Sequence, residues 1–315
     1  MSLLVVGTVA FDTIETPFGK ADMTIGGSGT YISLSASYFT NNINLVSIIG
    51  NDFPEKELKF LQSKGINTSG IVQRNDMKSF YWHGKYHYDM NTRDSLATEL
   101  NVLSVFNPVI PENLKKADYL CLGNIDPEIQ MSIINQVEKP NLIMCDTMNF
   151  WIETKHKELI ETLKKVDILL LNDSEARELT NEYNLVTAAR KIFTMGPKIV
   201  VIKKGENGAL LFHGESIFFA PAYPLEKVFD PTGAGDTFAG GFMGWIAKTN
   251  DFSTENIKLA IIYGSVMASI CVEDFSIEKL RPLTTVCFIP LLIFYFRIIY
   301  PAINCWNKKK FNLDY

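Results

Sequence analysis

The chain has 315 residues, 47% of them hydrophobic and 21% charged, with a formal net charge of −5. That length suits one large α/β domain or two small ones, and the apolar share supplies a sizeable core. The acidic balance leaves no basic field to hold a polyanion by counterion release, which sets nucleic-acid binding aside as the main function.

The first segment, MSLLVVG, is too short for a signal peptide and lacks a basic start, so Leu3–Val6 reads as a buried strand and a cytoplasmic setting is expected. Asp12–Thr24 breaks into alternating polar and apolar residues. Thr30–Phe39 is patterned as a helix, Leu45–Ile49 as a strand and Glu55–Lys64 as a helix. Ile71–Asn91, which contains FYWHGKYHYDMN, alternates again. Together with Asp12–Thr24 it reads as a small antiparallel sheet projecting as a lid. His83 and His87 lie in this alternating run, with no third metal ligand in view.

Strands then recur at Tyr119–Leu122, Leu142–Cys145, Ile168–Leu171 and Ile199–Ile202, with helices at Glu128–Gln136, Lys157–Lys165, Ser174–Thr180 and Thr237–Lys248. The strands are apolar on both faces, as in a parallel sheet covered on each side. The alternation predicts an α/β, doubly wound, mostly parallel sheet with helices on both faces, the domain spanning 1–285 with its lid from about 12–24 and 71–91. Five cysteines are scattered without CxxC or metal spacing, as in a reducing compartment. A lone Gly7 after the first strand excludes the glycine-rich turn of a dinucleotide-binding oxidoreductase.

The chemistry concentrates in DPTGAGDTFAGGF. Gly233, Ala234 and Gly235 form a turn that opens into a helix, whose free backbone N–H groups and positive end attract phosphate. Asp236 sits beside those donors, placed to take a proton while they hold the charge on a transferred group. The plainer alternative is that Asp236 caps the helix.

This run closely resembles the signature of the ribokinase-like (PfkB-type) carbohydrate kinases. The resemblance implies ATP-dependent phosphorylation of a hydroxyl on a sugar or related small molecule. It makes Gly233, Ala234 and Gly235 the anion hole and Asp236 the catalytic base. VVGTVAFD resembles the family's opening strand with its sugar-contacting Asp, here Asp12. IGGSGTY resembles the motif against which substrate lies, implicating Gly26, Gly27, Ser28 and Tyr31. LLLNDSEARELT carries Asn172 and Glu175, which the resemblance places near ATP phosphates and Mg²⁺, Glu175 reaching the metal through water. Both also fit an ordinary capped turn. Lys203 and Gly205 are secondary nucleotide candidates, Asp146 and Asn149 are carried over as cleft residues, and Asp230 marks a site for a monovalent cation such as K⁺. A homodimer through the lid is a further expectation from the family.

Two features depart from the family. Tyr31 stands where sugar kinases usually place Asn, and with Tyr81, Trp82, Tyr86 and Tyr88 it suggests a flat ligand such as a nucleoside. From 286 to 315 the chain is an atypical apolar tail, with Arg297 and two prolines inside it. These argue against a membrane anchor and favour a divergent or out-of-frame end over a folded element. Such a tail raises a competing reading, in which the protein keeps the fold but has lost catalysis.

Overall fold

The structure is a computed structural model and describes residues 1–295 and 297. In chain order the elements are β1 (Leu3–Val6), β2 (Ala10–Thr16), β3 (Gly19–Gly26), α1 (Ser28–Ala36), β4 (Ile43–Ile49), α2 (Glu55–Ser63), β5 (Ile66–Gln73), β6 (Phe80–Tyr86) and β7 (Arg93–Glu99). There follow β8 (Tyr119–Leu122), α3 (Pro127–Gln136), β9 (Leu142–Asp146), α4 (Asn149–Thr154), α5 (His156–Leu163), β10 (Ile168–Asn172), α6 (Asp173–Thr180), α7 (Leu185–Phe193), β11 (Ile199–Lys203), β12 (Ala209–His213), β13 (Ser216–Ala220), α8 (Ala234–Thr249) and α9 (Thr254–Cys271).

The large sheet has nine strands in the order β13-β12-β11-β10-β9-β8-β1-β4-β5, parallel from β11 through β5, with β12 and β13 antiparallel at one edge. Its strands alternate between two cores. Leu3 and Val5 pack with α1, α8 and α9, whereas Leu4 and Val6 pack with α3, α5 and α7. Burial on both faces is why the strands read as continuous apolar runs. The strand order reverses around β1, which lies between β4 and β8, so a crevice opens at the carboxyl ends of these strands.

The lid is a second sheet, β3-β2-β6-β7, rising from that crevice. Its strands are 10–16, 19–26, 80–86 and 93–99, and its pairing is mixed, because β2 and β6 run parallel. The expectation that residues 71–91 form one lid segment therefore divides: Ile66–Gln73 pairs with β4 at the edge of the large sheet. Helix α9 has no counterpart among the expected elements. It is apolar on nearly all sides, because it is buried between α8 and β12–β13, so no amphipathic stripe marks it.

The tail folds onto the body as far as it is described. Phe288 and Tyr295 are buried, Phe288 stacks on Phe39 at 5.8 Å, and Phe294 meets Tyr223 edge-on at 4.9 Å. A short 3-10 turn (Thr285–Phe288) leads into helical residues 289–295. This part is a folded element, against the expectation of a divergent end, because its aromatic side chains find apolar partners on the body. Residues 296 and 298–315, where the anchor and frame readings also fall, lie outside the described residues. Among the described residues no helix is long and apolar enough to cross a membrane.

Candidate active site

The carboxyl ends of β9, β10 and β11 carry Asp146, Asn172 and Lys203, and register sets Asn172 directly beside Lys203. The start of α8 closes over them. Gly233 is the N-cap of α8, with φ 73°, and Asp236 lies in the first turn without making a side-chain cap. The capping alternative for Asp236 is thereby removed: glycine takes the cap because its left-handed backbone disfavours other residues. Space also demands glycine at 233, since a Cβ there would fall 2.3 Å from the Tyr31 ring.

Lys203 ties this end together. Its Nζ donates to Asp146 Oδ2 at 3.0 Å, and a Cβ on Gly235 would lie 3.0 Å from the same nitrogen. The ammonium thus sits against the anion-hole turn, where a phosphoryl group would be held. Burial opposes its charge, but Asp146, Glu175 and Asp236 around it hold the amine above its ordinary value. Asp236 is pushed up to about 7 by burial, with nearby Asp146 adding and Lys203 opposing. Glu175 is pushed up to about 7 by burial as well, against the pull of Lys203. A carboxyl group tuned near neutrality is suited to accept a proton at physiological pH.

Across the crevice, Asp12 projects from β2. A Cβ on Gly26 would lie 1.8 Å from Asp12 Oδ2, so the carboxyl rests directly on that glycine. Burial, then Asp230 and Asp236, push Asp12 to about 8. The structure therefore brings together Asp12, Gly26, Gly233, Ala234, Gly235, Asp236, Lys203, Glu175 and Asp146.

Other sequence candidates are occupied elsewhere. Asn172 caps α6: its Oδ1 accepts from Glu175 N at 2.8 Å, and Glu175 Oε2 accepts from Asn172 N at 2.7 Å. The local capping reading holds for both residues, although Glu175 still faces Lys203 electrostatically. Ser28 hydrogen-bonds with Thr8, its Oγ accepting from Thr8 N at 3.2 Å, which fastens the helix start to the end of β1. Gly27 is the N-cap of α1, with φ 93°. Tyr31 is buried against Gly233 and presents no flat face to a ligand; burial pushes its phenol well up. Asn149 turns away to donate to Glu178. Gly205 faces the lid, where a Cβ would lie 2.7 Å from Asn91 Oδ1.

Asp230 is buried, and its two oxygens accept from Thr232 N at 2.8 Å and Ser276 N at 3.0 Å. The carbonyl oxygens of Thr232 and Ser276 both face the Cys271 thiol at 3.9 Å. These contacts anchor both Asp230 oxygens to the backbone of the surrounding loop.

The lid supplies Tyr86, already marked among its aromatics in the sequence, and Arg93, which the sequence reading missed. Tyr86, at the end of β6, is buried and its hydroxyl lies 3.2 Å from Thr232 Oγ1, just before the anion-hole turn. Arg93 is the direct cross-strand partner of Tyr86, so the two share a face. Arg93 lies within electrostatic reach of Glu175 and makes no ion pair among the described residues. The signal available in sequence is the strand alternation alone, and it does not say which face looks inward.

The pfkB family carbohydrate kinase model matches residues 3–280. The chain belongs to the pfkB carbohydrate kinase family. A cytidine kinase of Thermococcus kodakarensis is 32% identical over 253 residues, covering 79% of this chain and 89% of the relative. A nucleoside kinase of Methanothermobacter thermautotrophicus is 25% identical and covers 86% and 89% of the two chains. Among solved structures, Burkholderia thailandensis nucleoside kinase in complex with inosine superposes with a TM-score of 0.73 at 16% identity, covering 92% and 97%. The superposition shows that the chain shares its ribokinase-type α/β fold with that solved kinase. As a pfkB kinase the chain is a phosphotransferase that acts on a hydroxyl of a sugar or nucleoside.

Proposed function

We propose that this kinase transfers the γ-phosphoryl group of ATP to a ribose hydroxyl of a nucleoside. The observation that carries the mechanism is Asp236 in the first turn of α8, beside the Gly233–Gly235 turn, whose Ala234 N–H donates to Pro231 O at 3.2 Å, and beside the Lys203 ammonium. Asp12 accepts hydrogen bonds from two neighbouring substrate hydroxyls and turns a third toward Asp236. Asp236 takes that proton as the oxygen attacks phosphorus, while the backbone N–H groups and Lys203 hold the charge on the moving group. Arg93 adds a second positive charge from the lid.

Magnesium, bound with ATP, would neutralise phosphate charge. Glu175 and Asp146, each with one oxygen not engaged by Asn172 N or Lys203, would supply the hard oxygen ligands such an ion accepts, usually one or two carboxylates with the rest phosphate and water. No group of three or more metal-binding side chains among the described residues would hold it without nucleotide. Since both Asp230 oxygens are anchored to backbone N–H groups, we propose turnover without a potassium requirement.

The nucleoside assignment rests on the 32% identity to a cytidine kinase and on aromatic residues of the lid that face the crevice. The proposal includes a cytoplasmic setting, where ATP is abundant and the buried thiols Cys121, Cys145 and Cys271 stay reduced. It also includes a homodimer through the lid, supported by the exposed apolar side chains of Phe18, Met23, Tyr88 and Leu96. The test is ADP release with Mg²⁺ and ATP against a panel of cytidine, adenosine, inosine and ribose. Nucleoside-dependent release that vanishes in Asp236→Asn supports the reading; turnover of ribose alone overturns the substrate, and an active Asp236→Asn overturns the base.

A further inference from the structure

We infer that Trp82 is the platform on which the substrate's flat base stacks, and that Gly84 is small so that the platform can lie down. The inference rests on the nucleoside reading above and names the residue that recognises the base. In the pairing of β2 with β6, Asp12 is the direct partner of Trp82 and Ile14 of Gly84, so these four residues share one face of the lid. Asp12 identifies that face as the one looking into the crevice, because it is buried there within reach of Asp236. Neighbouring strands lie about 4.8 Å apart, so the tryptophan starts one strand away from the carboxyl that holds the sugar.

The indole does not stand upright. A Cβ on Gly84 would fall 1.9 Å from Cη2 and 2.3 Å from Cζ2 of Trp82, so the six-membered ring covers the glycine. Its Nε1–H donates to Ser95 Oγ at 3.0 Å across to β7, which fixes the ring along the sheet. The result is a half-buried aromatic plate with one face on the glycine backbone, beside Asp12 and short of Tyr86. A ring fixed at its polar edge and only partly buried suits a heteroaromatic base attached to the sugar that Asp12 binds. Of the other lid aromatics, Tyr86 shares this face but its hydroxyl is held by Thr232 at 3.2 Å. Tyr81 is the partner of Phe11 on the opposite face, and Tyr88 lies exposed beyond the end of β6.

Three variants of the full chain test this: Trp82→Ala, Trp82→Phe and Gly84→Ala. The last keeps the indole but lifts it off its seat, and the backbone at 84 is not in the left-handed region. With cytidine and inosine as probes, Trp82→Ala raises KM about ten-fold, the low end of what a base–aromatic stack is worth, and leaves kcat within about two-fold. Gly84→Ala shifts KM the same way, while Trp82→Phe retains most of the affinity. Nucleoside addition also quenches indole emission in the unaltered chain, and that change disappears in Trp82→Phe. If nucleosides are phosphorylated and KM is unmoved in Trp82→Ala, the platform is wrong and the nucleoside reading stands. If ribose is the acceptor and nucleosides are inert, the nucleoside reading itself fails. A poorly folded Trp82→Ala leaves Gly84→Ala and the emission change to decide.

Discussion

The two walls of the crevice are built in different ways. On the body side, Asp146, Lys203 and Asp236 stand at strand ends and a helix start, held by an ion pair of 3.0 Å and by a turn in which both backbone angle and space require glycine. On the lid side, Asp12, Trp82 and Arg93 are placed by strand register across a four-stranded sheet. The body wall concentrates buried charge around one ammonium; the lid wall offers a carboxyl, an aromatic plate and a guanidinium. On the proposed reading, proton transfer belongs to the body wall, and recognition, together with the Arg93 charge, to the lid sheet laid over it.

The largest way to break this division is Asp236→Asn, which should lower kcat by about a thousand-fold, within the range for a general base, while ATP binding measured by calorimetry changes little. If recognition residues alone limited turnover, that variant would remain active. Next is Arg93→Ala on the lid. Removing a cation proposed to hold phosphoryl charge should cost about ten-fold in kcat, with Arg93→Lys intermediate, and leave the nucleoside KM near its starting value.

pH separates the walls more finely. Asp236 at about 7 and Asp12 at about 8 must both lose their protons to act, so kcat/KM rises with pH through about 7 to 8 and then levels, and the Asp236 part of that limb is absent from any residual activity of Asp236→Asn. Stability of the ligand-free protein runs the other way. Asp12 holds its proton to about 8 in the folded state, whereas an unfolded aspartate loses it near 4. Between those values the folded chain binds more protons than the unfolded chain, so its stability is greatest at the acid end and is lost as pH rises toward 8. Thermal unfolding at pH 8 should therefore be shifted upward in Asp12→Asn, and the gain should shrink at pH 5. The smallest expected effect is ionic: exchanging K⁺ for choline should alter turnover by less than about two-fold, because Asp230 is already satisfied by two backbone N–H groups.

Much of the body wall is legible in the amino-acid sequence alone. The run from Asp230 to Phe242 contains its own explanation, since a small-residue turn opening into a helix with a carboxylate at its mouth is a local arrangement. Where several local explanations compete, sequence does not choose between them. Asn172 and Glu175 look alike as phosphate ligands and as a capping box, and the structure shows the box. Ser28 looks like a substrate ligand, yet its hydroxyl is taken by Thr8. The motif around Tyr31 suggests a place in the pocket, and the ring is instead the wall behind Gly233.

By itself, then, the sequence determined the alternation of strands and helices, the covered parallel sheet and the glycine turn with Asp236, because each depends on residues close together in the chain. Only the tertiary structure decided which lid aromatic looks inward, that Lys203 reaches Gly235 and Asp146, that Arg93 comes to the crevice, and that the tail to residue 295 packs on the body. The lid facts depend on register between distant strands, where a shift of one residue turns every side chain to the other face, and the Lys203 and tail contacts depend on packing between segments far apart in the chain.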